Sequence, residues 1–493
     1  MKKVVLCAAA LVFGTLAYAQ VGGAPSADQS LVPQNSADTE ANAGLSIQNG
    51  DDNRVRVRQA GELNTVYTEQ DNGTGLGGNL ARVMQTGDVN GNQADSGEDN
   101  AAEVRQSGST NQSTTVQEGD FNNAYTAQGQ NNPASSGNKA LIRQGTGNQA
   151  EANFAAIEQD GANNQAQTQQ TYDNSDAWTR QTGDDNKSMI NQNASPEDSD
   201  GHMASNEQIG NRNESAIMQS GAGGRNVATA RQLGDDNQAK QIQTTIAGAG
   251  MTANRGDVTQ GVPATFDPLI TTLFSDLATI DSNFNPVIGS QLESDGAKAK
   301  QIQNGKEQEA AIRQFGGSVG ASNYAEQVQF SGWGNDAAIE QGHHNTGEPS
   351  NYAKQYQAGD NNLAQLGQSG SGFKALQDQR GHRNDAKSSQ RGENHLLNIH
   401  QRGNDNDATS VQAGDANTAL IVQKGGQSYV AQQNAGLGTF DLSAGGNQID
   451  VLQLGPNGDF GNDAIDCDFE DPMNLDMDYT VPGFDLGDVC PDC

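Results

Sequence analysis

Glutamine recurs along this chain at a fixed interval. From Gln357 the series continues through Gln368, Gln379, Gln390, Gln401, Gln412 and Gln423, each 11 residues after the last. The same step joins Gln48 to Gln59 and Gln70, Gln106 to Gln117 and Gln128, and Gln159 to Gln170 and Gln181. Between glutamines the text reads Gln-x-Gly-x-x-Asn-x-Ala-x-x-x-Gln, as from Gln412 through Gly414, Asn417 and Ala419 to Gln423. A short period held in phase over many copies implies stacked units, each burying its apolar side against its neighbours. That order overrules composition. With 33% hydrophobic residues, 5% aromatic residues and 60 glycines, composition alone describes a disordered, Gln/Asn-rich chain.

The places where the period slips divide the unit into strand and turn. Gln70 to Gln85, Gln128 to Gln144 and Gln144 to Gln159 are wider steps, yet Asn79 to Gln85, Asn138 to Gln144 and Asn153 to Gln159 keep one length. So do Asn323 to Gln329 and Asn351 to Gln357. The extra residues fall between Gln and Asn, as in the stretch 71–78. Loops accept insertions and regular elements do not, so Asn-x-Ala-x-x-x-Gln is a strand and x-Gly-x-x a turn. Gly50, Gly61, Gly359, Gly381, Gly392, Gly403 and Gly414 then supply the positive φ a tight turn needs. Alternation agrees: Asn53, Val55, Val57 and Gln59 share one face, and Arg54, Arg56 and Arg58 the other.

The inward set is thin: small or β-branched residues bracketed by amides. It cannot fill a globule, but it suits two sheets facing each other across a narrow solenoid. Strands stacked about 4.8 Å apart let each amide hydrogen-bond the same residue above and below. Gln48, Gln59, Gln70 and the series from Gln357 to Gln423 are the expected glutamine rungs. Asn53, Asn64, Asn362, Asn384, Asn406 and Asn417 are the expected asparagine rungs. About thirty strands at two per coil give ~15 layers and a rod of ~70 Å.

The unit running from Gln412 to Gln423 resembles the curlin repeat, and copies cover most of the span from Asn42 to Gln453. The resemblance implies an all-β, amyloid-like stack of two sheets. It further implies export through an outer-membrane secretion pore, nucleated polymerisation at the cell surface, and roles in biofilm and adhesion. Partners would be the chain itself, other curlin-type subunits and a nucleator. This chain departs from the family in its length and loop insertions, and His395 and Ser428 stand at asparagine positions.

The flanks are read by composition. Lys2 and Lys3, an apolar run from Val4 to Leu16, and Ala17-Tyr18-Ala19 have the layout of a secretory signal over 1–19. No other stretch is apolar enough to span a bilayer. The formal charge is −33; without Lys2 and Lys3, 26 basic residues face 61 acidic ones, or −35. Such a surface excludes nucleic acid and anionic lipid as partners. Residues 20–41 read as an exposed polar leader, 42–260 and 297–453 as repeat solenoid, and 261–296 as an insertion. Within that insertion Asp267-Pro268 opens a short helix whose apolar face of Leu269, Ile270, Leu273, Phe274, Leu277 and Ile280 is laid against the solenoid flank or, alternatively, docks a partner.

Residues 454–493 form an acidic tail, a solvated segment or a cap, that carries Cys467, Cys490 and Cys493. A structural disulfide fits the Cys490-Pro-Asp-Cys493 spacing better than zinc or a redox site. His343-His344 read as surface residues, and no metal or cofactor is expected. No phosphate loop, nucleophile elbow or HExxH occurs; the acids fall mainly in turns and on outward faces, and no catalysis is expected. A structural fibre subunit is the leading expectation. A solitary β-solenoid adhesin is the alternative, and a β-helix enzyme acting on carbohydrate is a more distant one.

Overall fold

In the computed structural model the chain is described over 41–455, together with 24–25, 27 and 29–32. The stretches 73–76, 87–98, 146–149, 195–200, 222–223, 246–253, 262–293, 317–322, 343–349, 437–438 and 441–443 are excepted. Each Asn-to-Gln segment is a strand, and successive strands alternate between two parallel sheets. Sheet I has 15 strands, from Ala43–Asn49 to Ser428–Gln433; sheet II has 15, from Arg54–Gln59 to Gln448–Leu454. One coil is one strand of each. The expected two-sheet solenoid, with its layer count, is therefore the observed fold.

Register is set residue on like residue. Gln48 pairs with Gln70, Gln59 with Gln85 and Gln423 with Gln453, whatever the loop between them. A one-residue slip would turn every inward side chain outward. The ladder is disturbed where Lys298–Lys306 meets Tyr324–Trp333, between Asn304 and Lys306. A short antiparallel pair, Ala435–Gly436 with Thr439–Phe440, lies outside the pattern.

The interior is made by two positions per strand. In sheet I alanines such as Ala102, Ala155, Ala364 and Ala408 stand in one file and Ile157, Ile312 and Ile339 in the next, with Ile142, Ile190 and Ile217 in the matching file of sheet II, all fully buried. One continuous cluster joins Ala177 to Ala431. Burying an isoleucine contributes roughly 2–3 kcal/mol, so apolar stabilisation accrues per coil rather than in one central core.

The turn glycines have the anticipated conformation, with φ of 106° at Gly359 and 128° at Gly381. At Gly381 close approach adds a second reason, because a Cβ would lie 1.9 Å from the Gly403 carbonyl oxygen of the next coil. A second left-handed residue, which the sequence did not announce, precedes the asparagine: Asp52, Leu63, Asn361, Arg383 and Ala416 have φ between 50° and 56°. In Asn361, Arg383 and Ala416 the backbone N–H donates to the coil below, as from Arg383 to Asp360 O at 2.9 Å, which offsets a strain of about 1–2 kcal/mol.

Three expectations need revision or lie elsewhere. Gln427, not Ser428, occupies the asparagine rung, since Ser428 pairs with Asp407 one position on. The leader is not wholly exposed: Val32 is buried against Ala43 and Tyr67, and the Ala27 N–H donates to Asn123 Oδ1 at 3.1 Å. The insertion helix lies outside the described residues, and no helix occurs among them. No helix there is long and apolar enough to cross a membrane.

Candidate functional site: the amide ladders and the two ends

Because like residues stack, each repeat glutamine meets its own kind. In sheet I an unbroken file runs from Gln48 through Gln70 to Gln368, Gln390, Gln412 and Gln433. Each Nε2 donates to the next Oε1 at 2.7–3.0 Å. In sheet II the file runs from Gln59 through Gln357, Gln379, Gln401 and Gln423 to Gln453 over the same range. The 11-residue series thus deals its members alternately to two ladders. The second Nε2 hydrogen reaches across the interior, from Gln379 to Leu363 O and from Gln401 to Asp385 O, both at 2.8 Å. Gln379 and Gln401 therefore join coil to coil and sheet to sheet.

The asparagine ladders run the other way. Asn64 donates from Nδ2 and from its backbone N to Asn42 Oδ1 in the coil below, at 3.1 and 3.0 Å. Asn384 donates likewise to Asn362, and Asn406 to Asn384. Asn53 accepts from the Asn79 backbone N, and Asn417 accepts from Asn447. Nδ2 also caps the turn of the next coil, from Asn362 to Gly381 O and from Asn384 to Gly403 O at 2.9 Å.

Where asparagine is replaced, the substitute keeps the acceptor or leaves a gap. His395 Nδ1 accepts from the Asn417 N–H at 3.1 Å while its ring stacks on Phe373 at 5.2 Å. His202 takes the same place below Asn226 at 3.4 Å. Burial holds both imidazoles neutral, pushing the His202 pKa down to about 4, as an acceptor nitrogen requires.

A third ladder was not foreseen. Gln241, Gln301, Gln327, Gln355 and Gln377 occupy the isoleucine position on consecutive rungs of sheet II, linked at 2.7–3.0 Å. It closes on Ser388 Oγ at 3.0 Å. The facing sheet makes room at Gly256, where a Cβ would sit 2.9 Å from Gln301 Oε1. The signal was the Gln-x-Gln pair, as in Gln301-Ile302-Gln303, hidden by the abundance of glutamine.

Outward faces hold most acids, but not all are solvated. Glu340 and Arg313 are buried 3.6 Å apart, and burial lifts the Glu340 carboxyl to about 7 against the arginine's pull. Asp336 also rises to about 7, by burial and by Glu309 on the adjacent rung. Asp378 goes the other way. Burial would raise it, but hydrogen bonds from His400 and Arg402 and the charge of Arg380 hold it below the usual carboxylate range.

An open groove of about 720 Å³ follows one edge of sheet II, past Lys187, Glu214, Gln238, Lys298, Tyr324 and Tyr352. Its groups engage one another. Lys187 pairs with Glu214 at 2.9 Å, Arg212 forks onto Asp236 at 2.8 Å, and Tyr324 stacks on Tyr352 at 4.8 Å beneath Lys298. No group of three or more potential metal ligands occurs among the described residues. Cys467, Cys490, Cys493, His343 and His344 lie outside the described residues.

No protein-family model matches this chain, and no curated protein matches it.

The two ends differ from everything between them. Among the described residues the first and last strands of each sheet are paired on one side only, which leaves a row of backbone donors and acceptors open there. Interior positions emerge there: Val57 is 41% exposed, and Val451 is half-buried. At the Gln48 and Gln59 end the ladders finish on Oε1 acceptors. At the other they finish on Nε2 donors that keep only the cross-interior bonds of the inner rungs, from Gln433 to Thr418 O and from Gln453 to Ser428 O.

Proposed function

We propose that this chain is a structural subunit of an extracellular, curli-like fibre, in which copies add end to end. The observation that carries the reading is the pair of open ends, each the complement of the other. Continued in the register used throughout the rod, stacking sets Gln433 under Gln48 and Gln453 under Gln59 of the next copy. Ile449 and Val451 then meet Val55 and Val57, and Asp450 meets Arg56. Ladder, interior and charge would all run on without a break. A solitary adhesin gains nothing from leaving backbone and interior open at both ends, since solenoids that remain single block them with polar caps.

Export by the signal-like leader, passage through an outer-membrane pore, a nucleating partner and service in a biofilm matrix belong to this reading. They are supported by the repeat and by the leader's composition. The test is assembly of the chain from Gln20 onward, followed by amyloid-dye fluorescence and electron microscopy. Expected is a lag that preformed seeds shorten, and fibres with a repeat of about 4.8 Å along their axis. A chain that stays monomeric at high concentration with seeds present overturns the reading in favour of the adhesin.

A further inference from the structure

One face of the rod is out of character with its charge. On the outward positions of sheet II, the first four coils carry Arg54, Arg56, Arg58, Arg82, Lys139 and Arg143 against a single carboxylate, Glu118. Asp51 and Asp52 stand in the turn before Arg54. Among the described residues none of these six cations has an ion-pair partner. Elsewhere outward cations do: Lys300 and Lys354 share Glu326, Arg383 forks onto Asp405, and Arg402 meets Asp378. Beneath the cations Val116 and Leu141 are buried, with Met84 packed against them. In a chain of net charge −33, such a face calls for an anionic occupant.

The chain encodes one. Residues 456–493 hold eleven carboxylates and no Lys or Arg, and they alternate acid with apolar in Leu475-Asp476-Met477-Asp478-Tyr479. The segment leaves the last strand of sheet II, so it starts on the sheet that carries the cations. Distance decides which copy it serves. Lys139 lies 11 rungs below that strand and Arg54 lies 14, or ~53 and ~67 Å at 4.8 Å per rung. To reach them on its own rod the segment of 38 residues would have to run back past 11 to 14 rungs. In an end-to-end stack, the arginine strand of the next copy is a single rung away.

We propose that segment 456–493 of one copy docks on the basic face of the next copy in the stack, clasping the junction from outside. The clasp rests on the end-to-end reading above. It adds an electrostatic contact that the backbone ladders do not supply, and it joins only an end that carries the tail to an end that carries the arginines.

The tail's own cysteines provide the test. Full-length chain with Met84→Cys is prepared with light and with heavy isotopes, mixed, seeded and mildly oxidised. Disulfides between position 84 and Cys467, Cys490 or Cys493 are then mapped by mass spectrometry. Hybrid light–heavy links are expected. Arg54→Glu with Arg56→Glu and Arg58→Glu should cut them roughly tenfold, as should raising salt from about 0.05 M to about 0.5 M. The corresponding Arg→Lys changes should retain them, which separates lost charge from a failure to fold. Links confined to one isotope place the tail on its own rod and overturn the proposal. Links indifferent to charge and salt overturn it as adventitious. If links are missing while seeded growth continues, the clasp alone is wrong; if growth is missing too, the stacking reading has failed with it. A face that instead binds phosphatidylglycerol vesicles, through the same arginines and without links, serves an anionic surface and not the tail.

Discussion

A buried amide between two identical amides is the unit from which this rod is made, and its energetics are asymmetric. A satisfied hydrogen bond contributes about 1 kcal/mol net, whereas stranding a buried partner costs about 1–3 kcal/mol. Gln379→Leu therefore removes more than its own bonds: it leaves Gln357 Nε2 without its ladder acceptor and Leu363 O without its cross-sheet donor. We expect a loss of about 2–4 kcal/mol in equilibrium unfolding. In the third ladder, Gln327→Leu alone should be costly, because it strands Gln301 and Gln355. Replacing all five members by leucine should recover most of that loss. A single variant as stable as the parent would contradict the ladder as a source of stability. Charge behaves as distinctly. The Asp336 carboxyl rises to about 7 when folded, against an ordinary 3.8, so the folded state binds this proton more tightly. Its contribution is complete below about pH 4 and is lost as pH rises through about 7. Asp336→Asn should thus raise the thermal midpoint at pH 8, leave it unchanged near pH 4, and flatten the difference between them. Asp378, held low, has the opposite sign, and its contribution disappears as pH falls through its folded value.

At the level of the strand and the turn, the sequence was legible where one side chain decides one conformation. The Asn-to-Gln length, the alternation and the turn glycine all follow from rules of this kind, and all appear in the structure. What escaped was set by neighbours in the next coil. Arg383 and Ala416 share a left-handed backbone that neither prefers, imposed by an N–H directed at the coil below. The rung at Gln427 was misassigned by one residue because the turn before it is one shorter, a change visible only against its neighbours' register. Burial of Arg313 with Glu340 depends on what lies over an outward face, which alternation along a strand does not encode. The division into strand and turn has its own consequence. Deleting residues 73–76 leaves four residues between Gln70 and Asn79, the basic turn, and should preserve folding and the melting midpoint. Deleting Leu420 and Ile421 removes an inward rung from the strand Thr418–Lys424 and moves Gln423 out of line with Gln401. Circular dichroism melts of the two deletions should differ widely, and equal tolerance would refute the assignment.

Over the whole rod the ladders add up to a direction. The glutamine ladders donate toward the Gln453 end, and the asparagine ladders accept from that side, each Oδ1 receiving from the asparagine of the next coil. Two like ends brought together would oppose acceptor to acceptor or donor to donor, while unlike ends continue both ladders. Growth by stacking must then be head to tail, and this can be separated from symmetric association with two substitutions. Val57→Lys places a charge at the interior position of the first coil, where the parent valine is already 41% exposed. Val451→Lys does the same in the last coil. In the monomer each lysine can reach water, so unfolding free energies should change by less than about 1 kcal/mol. In a stack the charge would be enclosed between coils without a partner, at a cost of several kcal/mol. Each variant alone has one spoiled end and should remain monomeric by light scattering. Mixed in equal amounts, they have one sound end of each kind, the Gln453 end of the first and the Gln48 end of the second, and should form dimers that grow no further. If Val57→Lys dimerised by itself, the sound ends would be pairing with their own kind, and the direction read from the ladders would not govern assembly.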